Sequence, residues 1–165
     1  MTASRPYQES REEMERLLGD ERVGYLGLSR DGQPYVVPLT YGYVAGRILF
    51  HGAAAGKKLD WIRSNPRVCF TVARQFGDVV PHPQGAACQV YSDSVVCYGT
   101  ARVLDDIEER RRALNTFNQC LAPGAKDLTR DDVADCLAVE ITVEEMTGRL
   151  ERDSKCTWLT HRFAT

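Results

Sequence analysis

One continuous stretch in the first half of the chain combines a strand end, a loop of small residues and a short helix. Leu49 to Gly52 ends an apolar run, and residues 53–56 are three alanines and a glycine. Lys57 and Lys58 then open a helical segment that ends at Asn65-Pro66, because proline disfavours helical backbone in the residue before it. Small residues let backbone N–H groups approach a ligand, the free amides of a helix start favour an anion, and lysines supply the opposite charge. The stretch therefore predicts a strand–loop–helix unit that holds a phosphate.

The segments on either side of this unit have the patterns of antiparallel strands. Asp31-Gly32 lies between two β-rich runs and is a strong hairpin signal, and Ala45-Gly46 marks a second turn. Gly77 to Ala87 contains Pro81 and Pro83 and predicts an irregular loop. Alternation and β-rich composition predict strands at residues 22–29, 34–43, 47–51, 67–74, 90–104 and 137–143.

Capping signals predict two further helices. Ser10 is followed three residues later by Glu13, which is a capping box for a helix over residues 10–18. Asp105 and Glu108 have the same spacing at the start of a helix that ends before Pro123-Gly124. With the helix at residues 56–64, this gives six or so antiparallel strands and three helices, so the predicted fold class is mainly β: a β-barrel with peripheral helices, not a βαβ fold.

The length of 165 residues predicts a single domain. We place its end near residue 149, because the segment from Leu150 is charged as far as Trp158. Residues 150–165 are interpreted as a C-terminal tail that orders on a partner by contacting the second chain of a dimer.

Charge and cysteine usage exclude several classes of protein. The 21 basic and 23 acidic side chains give a net charge of −2, which argues against nucleic acid as a partner. No apolar run reaches the roughly 20 residues that span a bilayer, and the first residues lack a signal-peptide core. The six cysteines stand singly without the spacing of a zinc site. We therefore expect reduced thiols, no metal, no membrane contact and a cytoplasmic location.

The glycine loop is not a nucleotide P-loop. The P-loop pattern needs four residues between its glycines and a Ser or Thr after its lysine, whereas here three residues separate Gly52 from Gly56 and Lys58 follows Lys57. The missing hydroxyl removes the magnesium ligand, so a nucleoside triphosphatase is excluded on chemical grounds.

A longer series of motifs resembles the FMN-binding split-barrel superfamily of pyridoxamine 5′-phosphate oxidase. The residues that carry the resemblance are Pro34-Tyr35-Val36-Val37-Pro38-Leu39-Thr40-Tyr41, Ile48-Leu49-Phe50-His51-Gly52-Ala53, Gly56-Lys57-Lys58, Asn65-Pro66-Arg67-Val68-Cys69-Phe70 and Tyr91-Ser92-Asp93-Ser94-Val95-Val96-Cys97-Tyr98-Gly99-Thr100-Ala101. Within that superfamily the chain is most similar to the nitroimidazole-resistance branch. The resemblance implies a six-stranded antiparallel split barrel that binds FMN at the interface of a homodimer.

The resemblance also implies a role for particular residues. The strand Val36-Val37-Pro38-Leu39-Thr40 would run beside the isoalloxazine, largely through its backbone, and His51, Gly52 and Ala53 would touch the cofactor. Lys57 and Lys58 would grip its phosphate. Ser94 and Val95 of the second chain would complete the site. His51 is the candidate catalytic residue, because an imidazole beside the flavin could supply a proton to the reduced product.

Three hypotheses follow. The first is an FMN-dependent oxidoreductase that resembles nitroimidazole reductases and reduces a small planar acceptor; the alternative flavins are FAD and a deazaflavin. The resemblance does not extend to oxidation of pyridoxamine phosphate. True pyridoxamine phosphate oxidases hold the substrate phosphate with an arginine-rich C-terminal segment, whereas here Gly148-Arg149-Leu150-Glu151-Arg152 is followed by a different tail. The second is a non-catalytic flavin or haem carrier or redox sensor, with His51 as a haem ligand. The third is a dimerisation module whose pocket is vestigial.

Overall fold

The computed structural model describes residues 8–81, 88–152 and 155–164. Nine strands and three α-helices lie in the described ranges, with one short 3-10 turn at Asp131–Val133. Their bounds are β1 Gln8–Glu9, α1 Glu12–Asp20, β2 Val23–Arg30, β3 Gln33–Thr40, β4 Gly42–Val44, β5 Arg47–Ala53, α2 Lys57–Ser64, β6 Arg67–Pro81, β7 Cys88–Leu104, α3 Ile107–Leu121, β8 Cys136–Arg152 and β9 Lys155–Arg162. Within these ranges, no helix is both long and apolar enough to cross a membrane.

All nine strands belong to one sheet. The order along its main path is β1-β9-β8-β7-β6-β2-β3, and β5 joins the sheet through β8 while carrying β4 on its other side. Every pairing is antiparallel except that of the two-residue β1 with β9. The mainly β class with peripheral helices is confirmed, although the predicted number of about six strands is too low. Two of the additional strands, β1 and β4, have only two and three residues and carry little sequence signal, and the third, β9, lies in the segment interpreted as a tail.

The sheet branches at β8, a strand of 17 residues. One edge of β8 pairs with β7, and the other edge pairs with two different strands in turn. The first half of β8 pairs with β5, up to the pair Arg47–Thr142. The second half pairs with β9, starting from Glu145–Arg162. Glu144 is the extra residue of a bulge between these halves, because Gly99 pairs with Val143 and Tyr98 with Glu145.

One core fills the space enclosed by the curved sheet and α1. Its largest fully buried side chains include Tyr41, Phe50, Phe70, Leu26 and Ile141. Alternate residues of the long strands reach this core, such as Leu26 and Leu28 of β2, as expected for a sheet with one buried face. A smaller cluster around Leu104, Leu114, Val133 and Ala138 lies beneath α3.

The helix starts differ from the predicted caps. In α1 the residue before the first turn is Arg11, which makes no side-chain cap, so the predicted capping box of Ser10 does not form. In α3 the cap is Asp106 and not Asp105: its Oδ1 accepts a hydrogen bond from the Glu109 amide at 2.8 Å. A box spacing cannot distinguish two adjacent aspartates, because either carboxylate reaches an amide of the first turn.

Two further boundaries differ from the prediction. The strand before the predicted loop at 77–87 continues to Pro81 and the next strand begins at Cys88, so residues 82–87 of that loop lie outside the described ranges. The segment after Leu150 continues β8 to Arg152 and then forms β9, which pairs with it. Leu159 of β9 is fully buried. The described part of the predicted tail is therefore part of the same sheet and packs on this chain's own core.

Candidate flavin-phosphate site

A cavity of about 240 Å³ lies where the end of β5, the start of α2 and the edge strand β3 meet. It is lined by Tyr35, Val37, Ala53, Ala55, Gly56, Lys57, Lys58 and Leu59. Most of this lining comes from the strand–loop–helix unit that the sequence singled out. The cavity therefore combines small loop residues, two lysines and one aromatic ring.

The start of α2 leaves backbone donors free at this cavity. Gly56 precedes the helix with φ 139° and has no side chain to cap it. The amides of Leu59 and Asp60 both donate to the Gly56 carbonyl, at 2.9 and 3.2 Å, so the amides of the two preceding residues make no helical bond. The positive φ favours glycine at this position. Uncapped amides at a helix start attract an anion.

The two lysines occupy different environments. The Lys57 Nζ is exposed and lies 4.4 Å from the centre of the Tyr35 ring and 4.8 Å from that of Trp61. The Lys58 Nζ is half-buried and lies 5.1 Å from the centre of the Phe50 ring. Aromatic faces therefore contact both ammonium groups.

Neither ammonium group has a carboxylate partner among the described residues. The ion pairs of these ranges are formed by arginines with aspartates and glutamates. Burial lowers the pKa of Lys58 below its ordinary value, and no neighbouring carboxylate offsets that effect. Two uncompensated cations in one cavity are the charge arrangement expected for binding an anion.

Gly52 lies next to the end of the Lys58 side chain. A methyl group at position 52 would contact the Lys58 Nζ at 3.4 Å and its Cε at 3.7 Å, which is ordinary van der Waals contact. Gly52 itself does not line the cavity. The free amides and the two cations fit a phosphate group of a cofactor.

The predicted contact strand forms the exposed edge of the main sheet. β3 ends the strand order, so no described strand pairs with its second edge. Val36, Pro38 and Thr40 face outward, whereas Val37 and Leu39 are half-buried and pack on the core. Free N–H and C=O groups along that edge can hydrogen-bond a ligand, which suits a contact made by backbone.

His51 lies on the other face of β5 from the lysines. Phe50 enters the core and Gly52 faces Lys58, so the intervening side chain points the opposite way. The His51 ring is exposed and stands edge-on to Phe117 of α3, with centroids 5.3 Å apart and planes at 74°. Within one chain His51 does not line the cavity, and its catalytic role stays a prediction.

Ser94 and Val95 lie on β7, three strands along the sheet from β3. Neither residue lines the cavity of its own chain. Ser94 is half-buried and pairs with Ala73 and Arg149 across the neighbouring strands. Val95 is 0% exposed in the core, so only its backbone could contact a cofactor.

The described residues hold no group of three or more His, Cys, Asp or Glu side chains arranged to bind a metal. Five of the six cysteines have described side chains, and none of these five forms a disulfide. Burial raises the pKa of the Cys97 thiol above its ordinary value. A buried thiol of raised pKa is poorly reactive, so Cys97 serves packing.

Tyr35 and Trp61 were not among the site residues predicted from the sequence. Both lie against Lys57, and Tyr35 also lines the cavity. The contact between Lys57 and Trp61 could have been predicted from the sequence, since residues four apart lie on the same face of a helix. The Tyr35 contact joins β3 to α2 and carries no local signal.

Comparison with known proteins supports the family resemblance that the sequence motifs indicated. The family model described as pyridoxamine 5′-phosphate oxidase matches residues 10–150, which is most of the chain. The chain belongs to this family. A curated relative, an uncharacterized protein of Rhizobium meliloti, is 40% identical over 76 residues, or 43% of this chain and 50% of that protein. The match thus spans half the length of that relative.

Solved structures share the split-barrel fold. A candidate 5-nitroimidazole antibiotic resistance protein from Bacteroides thetaiotaomicron superposes with a TM-score of 0.72 at 24% identity, covering 86% of this chain and 84% of that one. An FAD-binding protein from Mesorhizobium loti gives 0.65 at 29% identity, covering 84% and 93%. An FAD- and haem-binding protein from Mycobacterium smegmatis gives 0.70 at 19% identity, covering 93% and 83%. The predicted split-barrel architecture is confirmed.

Proposed function

We propose that this protein binds a phosphorylated flavin, FMN in the first instance, in the cavity at the start of α2 and uses it to reduce a small planar acceptor. The observation that carries the proposal is a cavity in which two ammonium groups, those of Lys57 and Lys58, have no carboxylate partner among the described residues and lie beside uncapped helix amides. Membership of the pyridoxamine 5′-phosphate oxidase family and likeness to an FAD-binding protein support a flavin as the ligand.

Each part of the cavity has a distinct task in this proposal. Lys57, Lys58 and the free amides at the start of α2 bind the phosphate and fix one end of the cofactor. The open edge of β3 offers backbone groups that would hydrogen-bond the ring system. Once reduced by an external electron donor, the flavin would pass an electron pair to the acceptor, and the protein would set its position and its exposure to that acceptor.

Comparing FMN with riboflavin tests the phosphate grip directly. Replacing both lysines, as in Lys57→Ala with Lys58→Ala, should weaken FMN binding at least about tenfold, since charge-assisted hydrogen bonds contribute roughly 1.5–3 kcal/mol each. Riboflavin lacks the phosphate and should bind both proteins alike. Quenching of flavin fluorescence measures both affinities.

Lys126→Ala is the matched control, because Lys126 is an exposed lysine outside the cavity. Its FMN affinity should equal that of the wild type. Equal FMN affinity in the double-alanine variant would refute the phosphate grip and favour a vestigial pocket. A parallel titration with FAD distinguishes the two flavins.

Catalysis by His51 is tested separately from binding. His51→Ala should retain FMN affinity and lose most nitro-acceptor reduction if the imidazole donates a proton. Unchanged turnover with full flavin content would remove His51 from the mechanism.

A homodimer is the second part of the proposal. Several large side chains are exposed on what we call the outer face of the sheet, formed by Val23, Tyr25, Val36, Pro38 and Tyr98. Val36 is 63% exposed and Tyr25 is 47% exposed. Cross-strand pairs make this face continuous from β3 to β7, since Tyr25 pairs with both Pro38 and Thr71 and Cys69 pairs with Tyr98. A second copy of the chain would bury these apolar groups.

Sedimentation analysis tests the dimer through Tyr25. Tyr25→Asp places a charge in the proposed interface and should yield monomers, whereas Tyr25→Phe should remain dimeric. If the partner completes the flavin site, the Asp variant should also bind FMN more weakly. A wild-type monomer that binds FMN fully would contradict this part of the proposal.

Haem binding through His51 is a second candidate function. The imidazole is exposed, and no hydrogen bond from a described residue occupies its nitrogens, so one is free for an axial bond. Likeness to a protein that binds both FAD and haem favours testing it. Haem titration should give a Soret band in the wild type and none in His51→Ala. No Soret band in either protein would exclude this function.

A further inference from the structure

Lys57 approaches two aromatic rings that meet each other edge to face. The Tyr35 and Trp61 rings have centroids 5.4 Å apart and planes at 67°. The Lys57 Nζ is within 4.4 and 4.8 Å of their centres. The lysine is otherwise exposed, and nothing anionic among the described residues holds its ammonium in place.

A free lysine side chain loses about 2 kcal/mol of rotamer entropy when it is held in one conformation. Ring contacts that restrict it beforehand reduce this cost at the moment of binding. Lys58 needs no such restraint, since it is half-buried between Phe50 and Gly52. The two lysines are thus oriented by different means, one by burial and one by aromatic contact.

From these contacts we infer that Tyr35 is a positioning residue for anion recognition: with Trp61 it holds the Lys57 ammonium at the cavity for the phosphate. The inference rests on the proposed phosphate site. The contact requires the ring of Tyr35 and not its hydroxyl, for which no described residue is a hydrogen-bond partner. Trp61 belongs to the core and is 8% exposed, so Tyr35 is the safer residue to change.

The substitution series follows from the chemistry of the ring. Tyr35→Phe retains an aromatic face and should bind FMN like the wild type. Tyr35→Leu keeps an apolar side chain without the ring quadrupole, and its FMN affinity should fall about two- to fivefold. Riboflavin affinity should be the same in all three proteins, whereas a structural defect in the cavity would lower the affinity for both flavins.

A double-mutant cycle shows whether Tyr35 acts through Lys57. In a Lys57→Ala background, Tyr35→Leu should have no further effect on FMN affinity. In a Lys58→Ala background its effect should persist. An equal loss in both backgrounds, or a wild-type affinity in Tyr35→Leu, would overturn the inference while leaving the phosphate site intact.

A measurement on the unmodified protein covers the case in which Tyr35→Leu does not fold. The ε-methylene protons of Lys57 should resonate upfield of those of Lys126, because they lie over ring faces and Lys126 contacts no described ring. Coincident resonances would show that Tyr35 and Trp61 do not hold the Lys57 side chain. If wild-type protein binds neither FMN nor inorganic phosphate, the proposed function itself fails and the inference falls with it.

Discussion

Gly99 lies where the sheet bends around its bulge. A Cβ at this position would approach the Thr142 carbonyl oxygen to 2.1 Å, far closer than non-bonded atoms come to a Cβ in real structures. The obstacle is backbone of the neighbouring strand, so it cannot move aside by a rotamer change. The extra residue of the bulge, Glu144, accepts hydrogen bonds from Arg67 and Thr100 and so connects three strands.

Gly99→Ala should therefore reduce the free energy of unfolding by about 3 kcal/mol, because β7 and β8 must separate to admit the methyl group. Urea denaturation measures the change. Gly19→Ala is the control: Gly19 lies in α1 with nothing within 4 Å of its Cβ, so alanine should stabilise by about 0.5 kcal/mol. A Gly99→Ala protein of unchanged stability would show that the strands relax easily at the bulge.

The roles of some site residues could be predicted from the sequence, whereas those of others could not. Lys57 and Lys58 were predicted as a phosphate grip, and they do line one cavity. Tyr35 was not among the predicted site residues, because its contact partner Lys57 lies on another element. Val95 of a second chain was predicted to help complete the site; its side chain is fully buried, so that contact would have to come from its backbone, and the role stays a prediction.

At the scale of the elements, the start of α3 offers two adjacent aspartates with different tasks. Asp106 caps the helix through the Glu109 amide, whereas Asp105 pairs with Arg63 at 3.0 Å in an exposed ion pair. Replacing a capping aspartate costs about 1 kcal/mol, and an exposed ion pair contributes less.

Asp106→Ala should thus lower the free energy of unfolding by about 1 kcal/mol, and Asp105→Ala by less than about 0.5 kcal/mol. Chemical denaturation of both variants measures the difference. Equal losses would mean that the ion pair and the cap contribute alike. A larger loss for Asp105→Ala would return the cap to the position that the spacing first indicated.

At the scale of the whole molecule, buried phenols and thiols connect stability to pH. The Tyr41 hydroxyl donates to the Leu18 carbonyl at 2.7 Å, and the Tyr43 hydroxyl donates to Glu15. Burial raises the pKa of both tyrosines, with the Glu15 hydrogen bond as a second cause at Tyr43. Burial also raises the pKa of the Cys97 thiol.

Groups with a raised folded pKa support stability fully below their unfolded pKa, which is about 8.5 for thiols and 10 for phenols. Above these values the unfolded chain loses protons that the folded chain keeps. The free energy of unfolding should therefore fall as the pH rises beyond about 9, by at most about 1.4 kcal/mol per pH unit for each group.

Tyr41→Phe isolates one of these groups. It should cost about 1 kcal/mol at pH 8 through the lost hydrogen bond, and its stability should then decline less steeply than that of the wild type between pH 9.5 and 11. Subtracting the two profiles removes the contribution of other groups, including Lys58, whose lowered pKa acts in the opposite sense. Parallel profiles would show that Tyr41 does not carry the effect.

The sequence alone determined the strand–loop–helix unit, the positions of most strands and the family, because these depend on turn chemistry, local spacing and motif order. The tertiary structure decided that His51 and the lysines lie on opposite faces of β5, that Tyr35 meets Lys57, and that residues 155–162 complete the sheet. These outcomes depend on which distant strands pair and which face they bury. No local pattern encodes that choice, since its free energy comes from contacts between residues far apart in the chain.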